Sequence, residues 1–87
     1  MVNFFGNGKA YAEYVAAPES HLALIPDNHT FEEAAAATLA AVTAYQALVD
    51  VAKIKKNDRV LIHAASGGVG HFAVQIAKYF GAEVTGV

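Results

Sequence analysis

The chain has 87 residues, of which 55% are hydrophobic and only 16% charged, and its formal net charge is −2. That balance gives no global field for nucleic acid or an anionic membrane, and the absence of cysteine excludes a disulfide framework and a thiolate metal site within these residues. The apolar fraction is high for so small a body, much of whose surface must stay wet, so the chain reads as a piece of a larger protein cut at both ends. With no cysteine and no signal-peptide pattern after Met1, the expected location is cytoplasmic.

Residues 1–9 are short and mixed, with Gly6 and Gly8 as turn formers. Residues 11–15 alternate, placing Tyr11, Glu13 and Val15 on one face and Ala12 and Tyr14 on the other, which predicts a strand. Pro18 interrupts it, and residues 22–25 form a second short run ending at Pro26. Together they predict part of an antiparallel β region that leaves through a turn at Pro26-Asp27-Asn28.

Thr30 and Glu33 have the spacing of a capping box, in which the hydroxyl accepts from the Glu33 N–H while the carboxylate accepts from the Thr30 N–H. Glu32 and Glu33 therefore read as groups at the positive end of a helix, not as an acid/base pair. Residues 34–52 are mostly alanine, which favours helix. One helix to Ala52 fits, but Thr38, Val42 and Thr43 favour two helices in series with a break at residues 39–42. The longest uncharged stretch, residues 34–49, falls short of the roughly 20 strongly apolar residues of a membrane span, so a buried helix is expected.

Lys53, Lys55, Lys56 and Arg59 are the one basic cluster and read as a solvated loop. Asn57-Asp58 is a turn pair, and Asn57 tolerates a left-handed conformation. None of the four histidines, His21, His29, His63 and His71, pairs with another at helical ligand spacing. His71 falls on the polar side of a predicted helix, and no catalytic role is assigned to any of the four.

The chain is organised around residues 60–70, VLIHAASGGVG. Val60, Leu61 and Ile62 form an unbroken apolar run, as a strand covered on both faces would. A glycine-rich turn follows, and then Val69, Phe72, Ala73, Ile76, Ala77 and Phe80 recur at helical spacing. Gly81 stands where a helix-ending glycine belongs, and residues 83–87 read as a second strand, parallel to the first. Strand, glycine turn and helix are the context in which such glycines serve the dinucleotide fingerprint. One permits the tight turn, one lets a pyrophosphate approach the backbone, and one lets helix and strand pack closely. The competing reading is a purely structural turn. The spacing departs from G-x-G-x-x-G, because either Ala64 or Ala65 takes the first glycine's place. Alanine there suits a compact turn whose φ stays negative.

The stretch AASGGVGHFAVQIAK resembles the nucleotide loop of the zinc-independent, zeta-crystallin-like quinone reductases of the medium-chain dehydrogenase/reductase superfamily. AYAEYVAAPESHLALIPD resembles the segment by which that superfamily's catalytic domain leads into its nucleotide domain. The resemblance implies an α/β fold: a partial Rossmann β-α-β unit over residues 37–87, preceded at residues 1–36 by the end of a β-rich, GroES-like catalytic domain. It implies NADPH as cofactor, held by Ser66, Gly67, Gly68, Val69 and Gly70 through the Ser66 hydroxyl and the backbone amides of residues 67–70. In the family a TAYQAL-like helix begins beside the nicotinamide, so Thr43 and Tyr45 are cleft candidates. On their own residue types, Thr43 equally suits a bond to a backbone carbonyl and Tyr45 suits core packing. Zinc-dependent members carry a cysteine ligand four residues before the threonine matching Thr43. Leu39 stands there, and leucine has no lone pair for a metal.

The expected activity is hydride transfer from NADPH to a quinone or conjugated enone without zinc, with no catalytic residue and no metal ligand among these residues. Two alternatives are an enoyl-thioester reductase of the same superfamily and a non-catalytic, crystallin-like NADPH-binding protein. The expected partners are a small-molecule quinone or enone and, in the full-length protein, a second copy forming a homodimer; neither nucleic acid nor membrane is expected.

Overall fold

A computed structural model describes residues 11–87, so the turn expected at Gly6 and Gly8 lies outside the described residues. The chain divides into two compact units, Met1–Leu39 and Ala40–Val87.

In the first unit, neither run expected as a strand becomes one. Residues 11–13 bend, and Tyr11 and Tyr14 are exposed. Alternation was the whole signal, and alternation alone does not hold a chain extended. After Pro18 a 3₁₀ turn, Glu19–His21, closes through bonds from the His21 N–H to the Pro18 carbonyl and from the Leu22 N–H to the Glu19 carbonyl. Leu22 makes an isolated bridge, and residues 23–25 are irregular.

Helix α1, Phe31–Tyr45, starts at the expected capping box. The Thr30 N–H donates to Glu33 Oε1 at 3.2 Å and the Glu33 N–H donates to Thr30 Oγ1 at 3.1 Å. Donation from the Thr30 N–H, first, and from the Thr30 hydroxyl, second, holds the Glu33 carboxyl below its usual range. No break occurs at residues 39–42. Thr38 is buried, and its hydroxyl donates to the Ala34 carbonyl 2.8 Å away, so it is satisfied within the helix and does not end it. The change of winding comes later, at a π-helical stretch, Gln46–Val51. The combined 21-residue stretch Phe31–Val51 is long and apolar enough to cross a membrane by length and composition. Nor is it the buried helix expected from its sequence: Phe31, Leu39 and Val51 are exposed, while Ala34, Thr38 and Ala44 are buried.

The second unit is built on strand β1, Arg59–Ile62, helix α2, Gly68–Tyr79, and strand β2, Glu83–Gly86. β1 and β2 pair in parallel, Arg59 opposite Glu83 and Ile62 opposite Gly86, which is the β-α-β unit the sequence predicts. The core consists of small residues against one large one: Ala44, Ala73 and Ala77 are buried with Ile62, and Leu48, Ile54, Val60, Phe72, Ile76 and Val84 pack around them. Alanine at 44, 73 and 77 lets backbones approach closely, which is why little bulk is needed to fill the interior.

The opposite face of the sheet is open. Leu61 is 57% exposed, and a depression of about 320 Å³ lies over Arg59, Val60, Leu61, Glu83 and Thr85. The apolar run at residues 60–62 is therefore covered on one face among the described residues, not on both. α2 ends in a Schellman motif. Gly81 is left-handed at φ +81°, its N–H donates to the Lys78 carbonyl, and the Ala82 N–H donates to the Ala77 carbonyl.

The loop before β1 is held by its own side chains. Asp58 Oδ2 accepts the Lys55 N–H at 2.9 Å and Oδ1 accepts Lys55 Nζ at 3.0 Å. Those bonds, the backbone one foremost, keep the Asp58 carboxyl below its ordinary range. Asn57 is left-handed, at φ 71°, as its residue type suggests; Lys53, at φ 56°, shares that conformation without any such signal.

Candidate functional site: the amide cradle at the start of α2

β1 delivers the chain to a turn whose pivot is Ala64, at φ 53°. Of the two alignments, this selects Ala64 as the residue in the first glycine's conformation, and it corrects the expectation that φ stays negative there. The left-handed geometry carries a cost for any residue with a Cβ. It turns the Ala64 carbonyl inward, where it accepts the Gly67 N–H at 2.9 Å. Gly67 thus does not offer its amide outward, contrary to the role expected for it from the sequence. It acts instead as the extended N-cap of α2, at φ −75° and ψ 175°.

The first amide of α2 with a helical partner is that of His71, which donates to the Gly67 carbonyl at 3.0 Å. The N–H groups of Gly68, Val69 and Gly70 precede it and have no intrahelical acceptor, and Gly67 has no side chain to cap them. Three donors therefore converge at the positive end of a 12-residue helix, the arrangement that suits a phosphate.

The glycines divide the work. At Gly68 a Cβ would meet nothing within 4 Å, so the backbone is bare toward open space. At Gly70 a Cβ would overlap the Ala64 carbonyl oxygen, so this glycine lets helix and turn close on one another. Gly86 is a second close approach that the spacing of the motif did not reveal: a Cβ there would lie 2.7 Å from that of Ala65. The Ala65 N–H donates to the Val87 carbonyl at 3.2 Å, and the Val87 N–H to the Ile62 carbonyl at 3.0 Å, so the end of β2 braces the turn. Ser66 and Val69 are beside the open amides, Ser66 exposed and Val69 42% exposed.

Thr43 lies exposed on α1, next to Ala44 of the core. Tyr45, at the last position of α1, is 47% exposed and so is not the core residue its type suggested. Sequence reasoning placed His71 on the polar side of the helix without a catalytic role and did not foresee its contact with the turn. Besides its amide, its ring Nδ1 lies 3.0 Å from the Gly67 carbonyl oxygen; a histidine four residues after a loop glycine was the available signal. Among the described residues no three of His, Cys, Asp or Glu gather as a metal site.

No protein-family model matches the chain. Polyketide synthase GfsB of Streptomyces halstedii is 56% identical over 63 residues, which are 72% of this chain and 1% of that protein. The solved structure of CurK enoyl reductase is 47% identical with a TM-score of 0.70, over 76% of this chain and 20% of that one. This chain is similar to one stretch of an enoyl reductase. The quinone oxidoreductase of Thermus thermophilus, solved also in complex with NADPH, is 39% identical with a TM-score of 0.74, over 86% of this chain and 25% of that one. The chain therefore spans a small part of the curated relative and a fifth to a quarter of the solved chains. These likenesses agree with the α/β, partial Rossmann unit seen in residues 59–86.

Proposed function

We propose that the chain is the nucleotide-binding segment of an NADPH-dependent enoyl reductase acting on an α,β-unsaturated acyl thioester. The observation that carries this reading is the set of three amides at Gly68, Val69 and Gly70 that precede the first amide with a helical acceptor, with bare backbone at Gly68. It fits a pyrophosphate, because an anion bonded to several backbone donors needs no charged side chain. The NADPH-complexed quinone oxidoreductase of similar fold supports the choice of cofactor.

Bound NADPH would supply a hydride which, with a proton from solvent, saturates the carbon–carbon double bond. This chain's own residues bind and orient: the amides of residues 68–70 and the Ser66 hydroxyl hold the diphosphate, Gly67 sets the N-cap, and Thr43 lines the cofactor cleft. No described residue is assigned a catalytic or metal-ligating role. The thioester replaces the quinone as the leading substrate because CurK enoyl reductase is more similar in sequence than the quinone oxidoreductase, and the polyketide synthase similarity points the same way. In this reading residues 1–36 belong to the catalytic domain and residues 37–87 to the nucleotide domain of a cytoplasmic, homodimeric enzyme. Phe31–Val51 is then a packing helix and not a span, since Ala44 belongs to the core around Ile62.

The test is NADPH oxidation by the complete enzyme with a crotonyl thioester and with a simple benzoquinone. Saturable turnover that clearly favours the thioester in kcat/KM supports the reading. The reverse order restores the quinone, and NADPH binding without turnover of either favours a non-catalytic role.

A further inference from the structure

The Gly67 carbonyl is held twice by one residue. It accepts the His71 N–H at 3.0 Å and lies 3.0 Å from His71 Nδ1. A carbonyl oxygen only accepts, so Nδ1 carries the hydrogen and Nε2 is left facing away. The ring is steadied from the side by Phe72, with centroids 4.2 Å apart and planes tilted by 41°, and the His71 carbonyl accepts Gln75 Nε2 at 3.1 Å. His71 is exposed, so its side chain is not there to fill the core.

The held peptide joins Gly67 to Gly68, the pair with the widest backbone freedom in the turn. A trans peptide is planar, and its carbonyl and the following N–H point in opposite directions. Fixing the Gly67 oxygen on the helix side therefore fixes the Gly68 N–H toward the open side, where a Cβ at Gly68 would meet nothing. We propose that His71 is a positioning residue of the cradle, clamping the Gly67–Gly68 peptide so that the Gly68 amide stays aimed at the dinucleotide's phosphate. The proposal rests on the reading of the cradle as the NADPH site.

The test compares the complete wild-type enzyme with H71A, H71N and H71Q by NADPH fluorescence titration, steady-state kinetics and thermal denaturation. Asn places an amide N–H at the reach of Nδ1, whereas Gln places it near that of Nε2. The expected result is that H71A and H71Q weaken NADPH binding and raise its KM about fivefold to tenfold, the scale of one hydrogen bond. H71N should return within about twofold, the one-bond scale again setting the margin, with kcat unchanged in all three. A wild type that binds no NADPH overturns the cradle itself and this proposal with it. A wild type that binds, beside an H71A variant of equal affinity, overturns the role of His71 alone. So does loss of affinity in H71N equal to that in H71A, because restoring the N–H donor would then restore nothing.

Discussion

The carbonyl oxygen of Ala64 fills the space in which a side chain on Gly70 would begin. A Cβ at position 70 would also fall 2.9 Å from the Ala64 carbonyl carbon and from the Ala65 Cα. Two positions away, a Cβ on Gly68 would meet nothing. The two glycines thus have different surroundings, Gly70 the packed turn and Gly68 open space.

Gly70→Ala should accordingly be a stability variant. Forcing backbone apart in a packed site costs about 1–3 kcal/mol, and cofactor binding should fall with the fold. Thermal denaturation of the complete enzyme checks this, with a lowered midpoint expected and an unchanged one against it.

Ala64→Gly should stabilise. A left-handed residue with a Cβ costs about 1–2 kcal/mol, and the extra unfolded freedom of glycine returns roughly 0.4–1 kcal/mol of that. The net gain is about 0.5–1 kcal/mol, the difference of those two effects. A rise in the urea midpoint is the expected result.

Ala77, on the buried face of α2, has 0% of its surface exposed and belongs to the core with Ala44 and Ile62. Ala77→Leu should lower stability by about 1–3 kcal/mol through overpacking. Ile62→Ala should cost about 2–5 kcal/mol by leaving a cavity. Urea denaturation measures both.

Glu33 and Asp58 fix the sign of an acid effect. Backbone N–H donors, from Thr30 and Lys55 respectively, lower both carboxyl pKa values in the fold. The folded state therefore binds fewer protons than the unfolded one, and each group's stabilisation is present above its unfolded pKa and lost as pH falls through the folded one. Between pH 5 and 3, about the range in which carboxylates titrate, the urea midpoint should decline less steeply in a Glu33→Gln, Asp58→Asn double variant than in the wild type.

What could be read from the sequence was what short-range chemistry decides. The Thr30–Glu33 box, the left-handed Asn57, the helix-ending Gly81 and the strand–turn–helix order at residues 59–79 all follow from backbone donors and acceptors a few residues apart. The strand expected at residues 11–15 failed because a strand needs a partner that alternation does not specify. The break expected at residues 39–42 failed because the Thr38 hydroxyl found an acceptor one turn back, at Ala34. Within the cradle, the glycines marked the turn before α2, but which amides remain open depended on Ala64 turning left-handed and consuming the Gly67 N–H. Neither that nor the Nδ1 contact of His71 is written in the glycine spacing.

The central claim is that bare backbone at Gly68 is where NADPH is held, and titration of NADPH into a Gly68→Val variant of the complete enzyme tests it most directly. A valine there meets no protein atom near its Cβ, so the melting temperature should stay within a few degrees of wild type, about the spread of a surface substitution. Affinity should drop at least about tenfold, the equivalent of one lost charge-assisted hydrogen bond. A folded variant that binds NADPH as tightly as the wild type would contradict the account.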